Sequence, residues 1–148
     1  MANPAYPQVL HAGTRRIDLA LPQCMGVLNV TPDSFSDGAT LGDSLSAGFK
    51  VDPDKLLRRA EAMVSEGAAF LDVGGESTRP GAAAVSVEEE LERVVPAIEL
   101  LSSRFDVCLS VDTSSADVMR AAIEAGAELV NAVRVLADAR ALDLINRR

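Results

Sequence analysis

Side chains able to do chemistry recur in this sequence directly after short apolar runs. The run "CMGVLNV" passes into "TPDSFSDG", and "AFLDVGG" passes into "ESTRPG". "VCLSVDT" closes on Asp112 and Thr113, and "ELVNAV" carries Asn131 near its end. Amide, carboxylate, hydroxyl and guanidinium groups thus gather at the same end of consecutive segments. Taken alone, "LDVGGESTRPGA" fits a solvated turn as well as a grip on an anion. Its repetition after every apolar run favours the grip. Mixed donors and acceptors beside a cation suit a heteroaromatic ring with an anionic tail better than a bare phosphate.

Each residue also has a plainer use. Asp112 suits an N-cap for a following helix, and Asn131 could satisfy nearby backbone groups. Asp33 and Asp37 fit the turns of "TPDSFSDG". Arg79 could pair with Glu76 at the surface, although Pro80 and Gly81 shape that loop. The acidic run at residues 88–90 reads as a solvated helix start, favoured by the helix dipole. His11 is the one histidine of the chain, and a His-based triad is set aside because it would rest on that residue alone. Cys24 and Cys108 adjoin apolar runs and read as small buried residues rather than ligands or a disulfide.

The elements that must position these groups follow from periodicity. The four apolar runs are short, and three lack clean alternation, as expected of strands covered on both faces. "DPDKLLRRAEAMVSEG" has Asp52 as N-cap, Pro53 at the first helical position and an apolar stripe of Leu56, Leu57, Ala60, Met63 and Val64. "SVEEELERVVPAIELL" opens on a capping box of Ser86 and Glu89, and Pro96 should bend or break it. "SSADVMRAAIEAGAE" can begin at Ser114 and stops at Gly126, and a fourth helical pattern starts near Asp138. A faint repeat, "SEGAAFLDV" and "EAGAELVNA", runs twice from a helix end into a strand. Alternating strands and helices imply a parallel sheet, either doubly wound or part of an eight-stranded α/β barrel. Residues 1–22 are expected to form an N-terminal cap or hairpin and residues 23–148 the four strand–helix units, with residues 40–51 as a loop insertion.

The chain has 148 residues, 48% of them hydrophobic, with a net charge of −8, which fits one soluble domain with a real core. That charge argues against nucleic acid or an anionic membrane surface as partner. No run is long enough to cross a bilayer and the start lacks a signal-peptide core, so a cytoplasmic location is expected.

The stretches "MGVLNVTPDSFSDG" and "DVGGESTRPGA", followed by "SVDTS" and a strand with "VN", closely resemble dihydropteroate synthase, from about Met25 to the end of the chain. The resemblance implies a (β/α)8 TIM barrel of which this chain holds four strand–helix units, a half barrel. It implies an enzyme of folate synthesis that joins 6-hydroxymethyl-7,8-dihydropterin diphosphate to p-aminobenzoate, with Mg²⁺ present. On the matching positions, Asp112 and Asn131 would bind polar edges of the pterin. Asn29 would help hold Mg²⁺ on the diphosphate, and Thr78 and Arg79 would border pterin and diphosphate. Phe35, Ser36 and Pro80 would help form the p-aminobenzoate site, with Asp37 near the cationic pterin methylene that forms as pyrophosphate leaves.

Two residues depart from the family pattern: Ala132 stands where the family has Asp, and Ala39 where it has a second Gly. Because side chains alternate along a strand, Ala132 should point away from a pocket that Asn131 faces. A complete barrel needs eight units and about 250 residues. The chain alone is therefore expected to be inactive, and to form homo-oligomers or pair with a complementing C-terminal half. Two other readings compete: a methyltransferase on a related pterin-binding barrel, and a non-catalytic truncated fragment. The diphosphate-type loops speak against the methyltransferase.

Overall fold

The computed structural model describes residues 8–32, 42–45, 48–77, 81, 84–132 and 139–146. A hairpin of β1 (Val9–Ala12) and β2 (Arg15–Asp18) comes first. Four parallel strands then pair in the order β3 (Cys24–Asn29), β6 (Ala68–Gly74), β7 (Cys108–Asp112) and β8 (Leu129–Asn131). Each strand of this sheet lies beside the next one in sequence. A doubly wound sheet reverses direction at a switch point, whereas a barrel advances steadily around its axis. The order is that of a barrel, which decides between the two architectures that the sequence left open.

The helices α1 (Pro53–Ser65), α2 (Val87–Arg104) and α3 (Ala116–Ala125) all cover one face of this sheet. Leu28, Val30, Leu71, Val73, Leu109 and Val111 supply the strand side of that core. Leu56, Ala60, Val94, Ile98, Leu101, Val118 and Ala122 supply the helix side. The caps are those the sequence predicts: Asp52 accepts from the amides of Asp54 and Lys55, and Ser86 accepts from that of Glu89. Helix α3 is capped by Ser115 and ends on Gly126, whose φ of 128° suits glycine. Asp112 is therefore not the cap of that helix. A shorter α4 (Ala139–Asn146) follows β8. Among the described residues, no helix is long and apolar enough to cross a membrane.

Three expectations need correction. Within the expected loop insertion, β4 (Gly42–Leu45) and β5 (Gly48–Val51) pair antiparallel, so the segment is not a plain loop. Glycine at the head of each strand hides the alternation. Helix α2 runs unbroken through Pro96. Pro96 is exposed while Val94, Ala97, Ile98 and Leu101 are buried, so packing on the sheet holds the turn that lacks its N–H bond. Cys24 is exposed, because it opens β3 where the pairing with β6 is irregular. Cys108 is buried as expected, and burial pushes its thiol up to about 11.

Candidate functional site

The face of the sheet away from the helices changes character along the strands. Its lowest row pairs Met25, Phe70 and Cys108. Phe70 and Cys108 pack there with Ala12 of the N-terminal hairpin, which closes this end with apolar side chains. Arg15 fastens that hairpin to the sheet through Asp106 at 2.7 Å and Glu128 at 2.6 Å. The next row aligns Val27, Asp72, Ser110 and Leu129. The last aligns Asn29, Gly74, Asp112 and Asn131 at the carboxyl ends of the strands. Alternation along neighbouring strands thus builds an apolar floor and a polar rim.

The rim gathers three residues that the sequence singled out. A Cβ added at Gly74 would lie 3.6 Å from the Asp112 Cβ and 3.7 Å from the Asn29 Oδ1. Glycine therefore leaves a methyl-sized space beside the Asn29 amide oxygen and the Asp112 Cβ. Asn131 lies on the other side of Asp112 and is exposed, while Ala132 packs on the helix side with Ala116 and Met119. The departure at Ala132 thus falls behind the rim, as alternation requires. Burial pushes the Asp112 carboxyl up from its ordinary range, and the negative charges of Asp72 and Glu76 push it further.

Two residues that the sequence reading missed support this rim. Asp72 is buried in the middle row, and its Oδ2 accepts a 3.2 Å hydrogen bond from the Asn131 Nδ2. Asp72 Oδ1 and the buried Ser110 Oγ have no hydrogen-bond partner among the described residues. The second is Glu90, buried rather than solvated as the acidic run suggested. Its Oε1 accepts from the Thr113 hydroxyl at 2.5 Å, and the Thr113 oxygen in turn accepts from the Ser115 amide. Burial pushes the Glu90 carboxyl up, with the Thr113 hydrogen bond opposing. Arg93, one turn of α2 further on, donates to the Gly75 carbonyl at 2.9 Å. A Cβ at Gly75 would stand 2.8 Å from the Val94 Cγ2, so glycine lets this loop lie flat on α2. The start of α2 therefore holds the chain leaving β6 and β7. An Asp inside "AFLDVGG" was the available signal for the first residue, since an apolar strand rarely carries a charge without purpose.

Thr78, Arg79 and Pro80 lie outside the described residues, as do Phe35, Ser36 and Asp37. Among the described residues, no group of three or more His, Cys, Asp or Glu could hold a metal ion. A shallow groove of about 360 Å³ lies at the hairpin end, lined by Arg15, Val64, Val107 and Cys108 among others. It is far from the rim chemistry, and its Arg15 is already engaged by two carboxylates.

Residues 25–148 match the family described as pterin binding enzyme. The chain belongs to that family. It is 48% identical over 134 residues to the dihydropteroate synthase of Escherichia coli K12, covering 90% of this chain and 44% of that protein. Among solved structures, Yersinia pestis dihydropteroate synthase in a sulfonamide drug complex superposes with a TM-score of 0.81 at 50% identity, covering 94% of this chain and 47% of that one. Xanthomonas albilineans dihydropteroate synthase in complex with 7,8-dihydropteroate gives 0.73 at 41%, with 94% and 47% covered. The chain thus spans about half the length of the relatives it matches. The resemblance drawn from its motifs is borne out, and so is the partial α/β barrel.

Proposed function

We propose that this chain forms the pterin- and diphosphate-facing half of a dihydropteroate synthase site. The reaction joins 6-hydroxymethyl-7,8-dihydropterin diphosphate to p-aminobenzoate. The C–O bond to the diphosphate breaks first, and the arylamine nitrogen then forms a bond to the cationic pterin methylene carbon. The electron pair leaves with pyrophosphate, and the amine proton passes to solvent or to the leaving group. The observation that carries this reading is the rim row Asn29, Gly74, Asp112 and Asn131 above an apolar floor.

Asp112 and Asn131 bind the polar edges of the pterin. The Asp112 carboxylate accepts from ring N–H groups in a partly buried place, where such bonds are strong. Thr78 and Arg79 border the diphosphate, and the Arg79 guanidinium offsets its charge. Asp37 stands near the methylene that becomes cationic as pyrophosphate departs. Phe35, Ser36 and Pro80 hold p-aminobenzoate. The arylamine is already a nucleophile, so no histidine base is needed.

Asn29 would hold Mg²⁺ through its amide oxygen, which borders the open space at Gly74. One protein oxygen suits this ion, which usually keeps several waters and is bound largely through substrate phosphates. Bound there, Mg²⁺ would neutralise charge on the leaving diphosphate. A cytoplasmic location and assembly with a second copy or a complementing half belong to the same proposal.

Titrating the chain with pterin and following the ligand's fluorescence tests the binding half of this reading. Saturable binding that weakens in Asn131→Ala supports it. Binding equal in the parent and Asn131→Ala would move the pterin elsewhere, and no binding would leave the inert-fragment reading.

A further inference from the structure

We infer that Asp72 is a positioning residue of this site, one that fixes which end of the Asn131 amide faces the rim. The inference rests on the pterin reading and deepens it. Asp72 lies in an otherwise apolar strand and is only 3% exposed. Burying a carboxylate is costly, and an apolar side chain of similar size commonly serves stability as well or better. Among the described residues, the one hydrogen bond to the Asp72 carboxylate comes from the Asn131 Nδ2, 59 residues away in sequence. Its partner oxygen, Oδ1, is buried and unpartnered among the described residues, as is the Ser110 hydroxyl beside it in the row. Native interiors seldom leave such atoms without a purpose.

The consequence follows from donor and acceptor types. An ionised carboxylate only accepts, whereas an amide has one donating and one accepting end. Asp72 therefore selects the NH₂ end of Asn131 and leaves the carbonyl Oδ1 on its exposed side. Without Asp72, a half-turn of the amide would interchange donor and acceptor at the rim. With it, Asn131 and Asp112 together offer acceptors to a ring edge that carries N–H groups.

The test uses the ¹⁵N-labelled chain and the side-chain NH₂ signals of Asn131. In the parent chain, one NH₂ proton should be displaced from the free-amide position and the pair should exchange slowly. In Asp72→Ala the pair should move to free-amide positions, while the backbone signals of β3 and β7 stay in place. In Asp72→Asn, whose side chain can donate or accept, the pair should split or broaden. Should Asp72→Ala fail to fold, the parent and the near-isosteric Asp72→Asn carry the test. Free-amide signals in the folded parent, or an Asn131 pair unchanged in Asp72→Asn, would overturn the inference. Pterin is then added. We expect binding at least tenfold weaker in Asp72→Asn than in the parent. If the parent shows no pterin-induced shifts, the functional reading fails, and the Asn131 signals still decide the positioning on their own.

Discussion

Asp112 stands where its own charge is disfavoured. Burial first, and then the charges of Asp72 and Glu76, push its carboxyl above the ordinary range. A carboxyl with a raised value in the folded state binds its proton more tightly there than in the unfolded chain. Its contribution to stability is fully present at low pH and is lost as pH rises from the unfolded value, about 3.9, through the folded one. Asp112→Asn should therefore raise the urea midpoint at pH 7, with the gain shrinking toward pH 3. The same substitution should weaken pterin binding by about 1–3 kcal/mol, the scale of a charge-assisted hydrogen bond. A variant both less stable and unchanged in pterin affinity would remove Asp112 from the site. Asn29, Asp112 and Asn131 were legible because polar residues at strand ends interrupt an apolar pattern. Asp72 was signalled only by a charge inside an apolar strand, and Glu90, inside an acidic run, by nothing local. Only tertiary packing shows that each is buried.

Elements were legible where local chemistry and periodicity agree. The Asp52 and Ser86 caps and the Gly126 stop lie where the sequence places them. Removing one cap, in Ser86→Ala, should cost about 1 kcal/mol in urea unfolding. Pro96 does not break α2, because a helix backed by Val94, Ala97, Ile98 and Leu101 tolerates it. Pro96→Ala should therefore stabilise the chain, by up to about 3 kcal/mol, and a lower melting temperature would contradict the account. The contact between α2 and the loop after β6 is tighter. Gly75→Ala places a methyl 2.8 Å from the Val94 Cγ2 and should destabilise by about 1–3 kcal/mol in the same assay. The hairpin at β4 and β5 escaped the sequence because register depends on pairing, which no local pattern states.

At the scale of the whole molecule, strand order decides what composition could not. The sequential order β3, β6, β7, β8 marks a barrel arc, and that order is a long-range property invisible in any single segment. Its outer strands, β3 and β8, each pair on one side only among the described residues. On the inner face, Val27 is 45% and Met25 38% exposed. Exposed strand edges and apolar side chains on one face favour association. Light scattering should show a mass that grows with concentration, and Val27→Lys should reduce that growth.

The central claim is that this arc carries a competent pterin and diphosphate site, and incorporation of p-aminobenzoate tests it most directly. The chain is supplied with pterin diphosphate and Mg²⁺, alone and mixed with the C-terminal half of a related dihydropteroate synthase. The account predicts product in the mixture, little or none from the chain alone, and a marked loss when the mixture contains Asp112→Asn. A mixture whose halves associate yet make no dihydropteroate, or one indifferent to Asp112→Asn, would contradict it.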